Sequence, residues 1–461
     1  MSILAAFAVP HPPILMPEIG HGEEHKIQST IDAYRTVMRR AAALHPETVV
    51  VTSPHTVLYA DYFHISPGEQ AQGSFLQFGA PQVEVQVSYD SAFTKTLMQR
   101  CGERHIPAGT FGERSSALDH ATMIPLRYLQ EFTSSFRVVR IGLSGLSPLV
   151  HYRLGQCIAD TAEKLGRRTV VIASGDLSHK LTQDGPYGYA PEGPQFDKET
   201  TVMLQKGDFL SLLSMDPDLC EAAAECGLRS FWIMAGALDR KALRSELLSY
   251  EGPFGVGYGV ASFLVTSKDN TRNFGEQYAT AEKRRAAVRQ QAEDPWVRLA
   301  RLSLETYVRT GQYAALPKNL PPELAGTRAG AFVSLKKDGR LRGCIGTVQP
   351  TQKSVAEEIL NNAVSAAVHD PRFGPVTPEE LPQLVYSVDV LQMPEAVASS
   401  KELDAKRYGV IVQNGNRSGL LLPNLAGVDT AEEQIAIARQ KAGISPYEPV
   451  KLWRFRVVRH T

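Results

Sequence analysis

Cysteine is scarce in this chain. Its 461 residues include five, at Cys101, Cys157, Cys220, Cys226 and Cys344. The set is odd in number, scattered and without a CxxC pair, which argues against a disulfide framework and against a zinc ribbon. Neither sign of charge is in excess: 49 Lys and Arg face 49 Asp and Glu. Nothing in that balance favours nucleic acid or an anionic membrane as a partner. Long apolar runs are missing as well. None approaches the ~18–20 residues of a membrane span. The apolar N-terminus MSILAAFAVPHPPILMPEIG lacks a basic region and is broken by prolines, so it reads as a poor signal peptide. The expected location is the cytoplasm. There is no internal repeat and no low-complexity tract.

What is present is an ordinary globular composition, 43% hydrophobic and 21% charged. The length exceeds what one core supports, so two or three domains are expected. Up to about residue 265, short apolar runs alternate with helical patterns. SILAAFAV, ETVVVTS, FRVVRIGLS and RTVVIAS read as strands. KIQSTIDAYRTVMRRAAAL, SAFTKTLMQRCGE, HATMIPLRYLQEF and RLGQCIADTAEKLG read as helices. This alternation predicts an α/β domain with a largely buried sheet flanked by helices. Residues 266–295 are polar, highly charged and poor in β-branched residues, the composition of a partly helical linker. After it come a helix, PWVRLARLSLETYVRTG, and strands such as AGAFVSLKKDG and LVYSVDVLQM. They predict a smaller α+β unit.

Twelve histidines occur, ten of them in the first half. The informative ones follow strands: His11 in FAVPHPPIL, His55 in VVVTSPHT and His179 in VVIASGDLSHK. In α/β sheets ligands bind outside the carboxyl ends of the strands, so three imidazoles in that position can converge. Two histidines and an anionic ligand, with positions left open, suit non-haem Fe(II). Glu225 and Cys226, adjacent just before the apolar stretch LRSFWIMAGAL, are the candidates for the third ligand. Glu225 also reads as a first-turn helix charge and Cys226 as a small buried residue.

The pieces VPHPPIL, SPH, LDHATMIPLRYL, ASGDLSHK, CGLRSFWIMAGAL and GVGYGVASF, in that order over nearly all of residues 1–265, resemble the class III extradiol ring-cleavage dioxygenases of the LigB type and the related Memo family. The resemblance implies Fe(II) held by His11, His55 and either Glu225 or Cys226. It implies His179 as acid/base and His120 as a second active-site histidine; Asp176, three residues before His179, could orient that imidazole. The implied substrates are dioxygen and a catechol-type or related aromatic compound. The Memo-like branch carries a cysteine near the third position and is not tied to ring cleavage, so its implied substrate is open and extends to a modified residue.

In the second unit, LRGCIGT, AVHDPRFGPVTPEEL and LVYSVDVLQMPEAV resemble the AMMECR family. The domains expected are then 1–268 and 290–461, with 269–289 as linker. Gly343 and Gly346 bracket Cys344 where backbone can approach a ligand, and Arg342 beside the thiol could activate it; the alternative is a cysteine packed in a strand. The pair of domains resembles two parts of the AmmeMemoRadiSam system, which implies a radical SAM protein as partner; this chain lacks the CxxxCxxC motif. Two other patterns compete. HGEEH at 21–25 matches the H-x-x-E-H zinc-peptidase motif, but its glutamates also fit the acidic start of the helix that follows. GVGYGV near 255 lacks the spacing and following helix of a dinucleotide site. A metal-dependent scaffold without enzymatic activity is the non-catalytic alternative.

Overall fold

The valine-rich runs form the buried sheet. In a computed structural model, which describes residues 2–337, 340–378, 380–425 and 427–461, the chain divides into two compact units, Met1–Ala281 and Glu282–Thr461. The first unit is built on β1 (Ile3–Val9), β2 (Thr48–Ser53), β3 (Arg137–Gly142), β4 (Thr169–Ser174), β5 (Lys241–Glu251) and β6 (Tyr258–Lys268), in the order β3-β2-β4-β1-β6-β5. The first four strands are mutually parallel, while β6 and β5 extend the β1 edge antiparallel. In β2 and β4 every residue is buried, as expected of strands covered on both faces.

Alternation along the strands feeds two cores. Ala6, Val50, Val139 and Val171 face one, with Phe93 and Leu97 of α2 (Ser91–Glu103), Leu154 and Ile158 of α4 (Pro148–Leu165), and Phe231 and Met234 of α6 (Leu228–Ala237). Ala5, Phe7, Val49, Val51 and Ile172 face the other, with Val37 of α1 (Gln28–Ala43) and Ile124 and Leu129 of α3 (His120–Gln130). The predicted helix RLGQCIADTAEKLG begins earlier, at Pro148, because a proline at the first helical position loses no hydrogen bond. Gly155 of α4 and Gly236 of α6 permit backbone contact: a Cβ on Gly236 would lie 1.8 Å from the Tyr152 carbonyl oxygen.

The stretch 269–289 contains a short turn of helix, Asn270–Arg272, and most of α7 (Phe274–Ala292). The start of α7 packs on the first unit, where Phe274 stands edge-on to Phe209 and Glu276 pairs with Arg240.

In the second unit α8 (Pro295–Thr310) and α9 (Val355–Val368) pack with an antiparallel sheet of β7 (Ala331–Lys337), β8 (Arg340–Gly346), β9 (Val385–Leu391) and β10 (Val457–His460), ordered β8-β7-β9-β10. The last two residues of the predicted strand AGAFVSLKKDG, 338 and 339, lie outside the described residues. A second four-stranded antiparallel sheet and the helix Ala431–Lys441 are inserted between β9 and β10. Among the described residues no helix is long and apolar enough to cross a membrane.

Candidate metal centre

Strand order brings the candidate ligands together. β2, β4 and β1 are neighbours and parallel, so their carboxyl ends open on one crevice. His11 follows β1, His55 follows β2, and Ser174, Asp176 and His179 end or follow β4. His11 Nε2 and His55 Nε2 lie 3.2 Å apart. The Cys226 sulfur is 3.6 Å from the same His11 nitrogen, and an Asp176 carboxylate oxygen is 3.8 Å from it. Two groups, His11–His55–His120 and His11–Asp176–Cys226, have donor atoms within 4.8 Å of one another. Nitrogens about 2.0–2.1 Å from a common ion must lie within about 4.2 Å of each other, so the observed pair fits a shared metal.

Proton affinities suit the same use. Burial, then the neighbouring His55, lowers the pKa of His11 well below the ordinary imidazole value. Burial with His55 and His11 lowers that of His120 to about 3. Both rings are therefore neutral at pH 7, the state in which imidazole binds metal. His11 Nδ1 lies 3.0 Å from the Ser174 hydroxyl. That contact occupies one ring nitrogen and leaves Nε2 for the crevice, the usual role of an outer partner to a metal-binding histidine. Burial, then Asp176 and Glu225, raises the Cys226 thiol well above its ordinary value, so metal binding there would release its proton.

The third-ligand candidates point differently. The helix Pro217–Ala223 ends with Ala224 in the left-handed region, φ 52°. After this turn the Glu225 carboxylate accepts a hydrogen bond from Leu228 N (2.7 Å) at the start of α6, while Cys226 faces His11. Glu225 belongs to neither donor group. Cys226 also meets the β4 loop, where Asp176 N–H donates to its sulfur (3.3 Å). Two glycines allow this: a Cβ on Gly175 would lie 2.1 Å from Gly227 Cα.

Asp176 is 5% exposed, and burial raises its pKa to about 6 against the hydrogen bond it accepts from His11 N–H (2.7 Å). Its oxygens serve His11, and among the described residues it makes no hydrogen bond to His179. The sequence-based role of orienting His179 is thus not the contact observed. His179 Nδ1 is buried without a hydrogen-bond partner among the described residues, and the ring meets Tyr187 edge-to-face at 5.5 Å. His120 stands 4.2 Å from the His55 ring and 5.6 Å from the His11 ring.

Asp119 is the residue that sequence reasoning missed. It caps α3, accepting from Thr122 N (2.9 Å) and Thr122 Oγ1 (2.8 Å), and also takes the hydroxyls of Ser53 (2.6 Å) and Thr56 (2.7 Å). One carboxylate thereby ties the His55 loop to the helix that starts with His120. Burial pushes its pKa up, but these hydrogen bonds and Arg140 outweigh that and leave it lowered. The signal was available: Asp directly before a predicted helix is an N-cap.

The competing motifs do not assemble. His21 caps a short helix in the left-handed region, His25 lies on a 3-10 turn, and neither joins a donor group among the described residues. GVGYGV leads into β6, a strand. In the second unit the Arg342 guanidinium is taken by Glu380, with two contacts of 2.9 Å, so it does not serve Cys344. The Cys344 sulfur receives the Ser334 hydroxyl at 3.1 Å. Gly343 and Gly346 are required by packing, since Cβ atoms there would lie 2.1 Å from the Ala366 carbonyl oxygen and 2.2 Å from the Phe332 ring.

Comparison with known proteins follows the two units. Residues 5–261 match the family described as the catalytic LigB subunit of aromatic ring-opening dioxygenase, and residues 297–460 match AMMECR1. Protein CA_C1420 of Clostridium acetobutylicum is 40% identical over 468 residues, covering 100% of this chain and 99% of its own. A Thermotoga maritima protein is 52% identical over 170 residues, 36% of this chain and 98% of its own. Among solved structures, uncharacterized protein PH0010 from Pyrococcus horikoshii shares 38% identity with a TM-score of 0.33, covering 36% of this chain and 88% of its own. Uncharacterized protein JW3007 from Escherichia coli K12 shares 15% identity with a TM-score of 0.38, covering 56% of this chain and 99% of its own.

Proposed function

Because this chain belongs to the family of the catalytic LigB subunit of aromatic ring-opening dioxygenases, with an AMMECR1 domain following, we propose that its first unit is a non-haem Fe(II) protein acting on a catechol-type or related aromatic substrate with dioxygen. The observation that carries the reading is the pair of imidazoles at the strand ends, His11 Nε2 3.2 Å from His55 Nε2, with the Cys226 sulfur 3.6 Å from His11 Nε2. His11 and His55 would hold the metal; Cys226 shares a donor group with His11 but not with His55, so its sulfur would have to draw nearer to serve as the third ligand. Iron bound there would supply Lewis acidity and electron exchange with dioxygen. His179 takes the proton of a substrate hydroxyl and returns it as the ring opens. Its unpartnered Nδ1 supports that role. His120, neutral at pH 7, offers a hydrogen bond to a substrate oxygen without adding charge. Ser174 holds the His11 imidazole, and Asp119 fixes the loop that carries His55 through Ser53 and Thr56.

A second reading, a Memo-like metal protein without ring cleavage, is favoured by one observation: a thiol and not the Glu225 carboxylate turns toward His11. An anaerobic Fe(II) titration followed by a catechol panel under oxygen separates the two. One equivalent of iron with oxygen uptake supports the dioxygenase; iron without uptake supports the Memo-like reading; absence of iron binding overturns both. The pairing of the two domains supports a separate radical SAM protein as partner, and five unpaired thiols suit a cytoplasmic location.

A further inference from the structure

The second unit carries a solvent-open pocket of about 780 Å³. Its wall is held from behind. Glu358, 1% exposed, accepts hydrogen bonds from Thr347 Oγ1 (2.6 Å), Thr351 N (2.8 Å) and Gln352 N (2.9 Å), which pins the loop leading into α9. The Ser303 hydroxyl of α8 donates to the Leu360 carbonyl (2.6 Å) and fastens α9 to its neighbour. Leu360 supplies an apolar floor, and Tyr313, steadied edge-on by Tyr307 at 5.1 Å, supplies an exposed aromatic ring.

The charges on this lining are unbalanced. Arg328 is held beside the loop by its Nε–H bond to the Gln352 carbonyl (3.2 Å), and Lys353 is the next residue in that loop. Among the described residues neither side chain pairs with a carboxylate. Glu357 is the single anion of the lining, and one of its oxygens already accepts from Lys353 N (3.0 Å). Two cations without a carboxylate partner, a braced wall, an apolar floor and an aromatic ring select one ligand chemistry. We propose that this cavity binds a small organic anion, one acidic head on a flat apolar body. The head lies toward Arg328 and Lys353, and the body rests on Leu360 and Tyr313.

The test uses anilinonaphthalene sulfonate, an anion of that shape, and its uncharged parent phenyl-naphthylamine, each titrated by fluorescence against the full chain. The sulfonate should bind saturably, and the uncharged dye about tenfold more weakly. In Arg328→Gln/Lys353→Gln the sulfonate should weaken by about tenfold or more, and in Tyr313→Ala by several-fold. Glu357→Gln should tighten it about two- to threefold by removing a like charge. Arg328, Lys353 and Tyr313 are exposed, so thermal melting of these variants should match the wild type; should the double variant melt early, Tyr313→Ala and Glu357→Gln carry the decision. Titrations that superimpose across wild type and variants, equal binding of the two dyes, or no saturable binding at all would each overturn the proposal.

Discussion

At the scale of single residues, the proposed function assigns some groups of the crevice to holding a metal and others to moving protons. His55→Ala removes one of the three proposed ligands, and a two-ligand site is too weak to retain Fe(II) selectively. Iron analysis should therefore find the metal lost. His179→Ala leaves all three proposed ligands in place. It should retain iron and lower turnover by roughly 10²–10⁴-fold, the contribution of a positioned proton-transfer group. Equal loss of iron in both variants would make His179 a ligand. The neighbouring pair Glu225 and Cys226 is divided in the same assay. Cys226→Ala should strip the metal, because its sulfur faces His11. Glu225→Gln should keep it, and should cost only a few tenths of a kcal/mol, because the Gln oxygen can still accept from Leu228 N and only the charge at the helix N-terminus is lost. The opposite result would place Glu225 on the metal.

Between elements, close backbone approaches decide where these residues stand. Gly175 follows β4 and Gly227 precedes α6, and their contact sets Cys226 against Asp176. Gly175→Ala should force the two segments apart. A destabilisation of about 3 kcal/mol, read by denaturant melting, should come with weakened iron binding. Stability lost with iron affinity intact would show that the contact serves packing alone. A second joint responds to pH. Asp197, on α5 (Glu192–Lys206), accepts from Ser178 N (2.7 Å) and from the Tyr250 hydroxyl of β5 (2.7 Å). Burial raises its pKa to about 7 against those two hydrogen bonds, above the roughly 3.9 of an unfolded aspartate. The native state thus binds the extra proton. The stability this contributes is full below pH about 4 and is lost as pH rises through about 7. Thermal melts from about pH 5 to about pH 8 should decline in the wild type and flatten in Asp197→Asn. Parallel curves would remove Asp197 from the pH response.

For the whole molecule, the two compact units divide at Ala281 and Glu282, within the span of α7. A fragment 1–281 keeps Phe274 against Phe209 and Glu276 against Arg240. It should fold cooperatively and bind iron like the full chain. Ending the fragment at 268 removes those contacts and leaves Phe209 short of a neighbour. Losing this partly buried aromatic contact should cost about 1–2 kcal/mol, seen as an earlier melt. If the two fragments melt alike, the start of α7 adds nothing to the first unit.

Much of this was legible from residue order. Continuous apolar runs such as TVVVTS and TVVIAS can be stable only as strands covered on both faces, and their alternation with amphipathic helices determines an α/β unit before any contact is known. A histidine after such a run is also legible as a candidate, because a sheet holds that position rigidly at the edge of a crevice. Two matters were decided only in three dimensions. Glu225 and Cys226 are adjacent in a turn, where no periodicity assigns a direction; the left-handed Ala224 and the Gly175–Gly227 contact turn the thiol inward. Asp119 is 66 residues from Ser53 and 63 from Thr56, a separation that no local pattern spans. Its capping role is local and can be read from the chain; its hold on the His55 loop exists only because α3 packs where β2 ends.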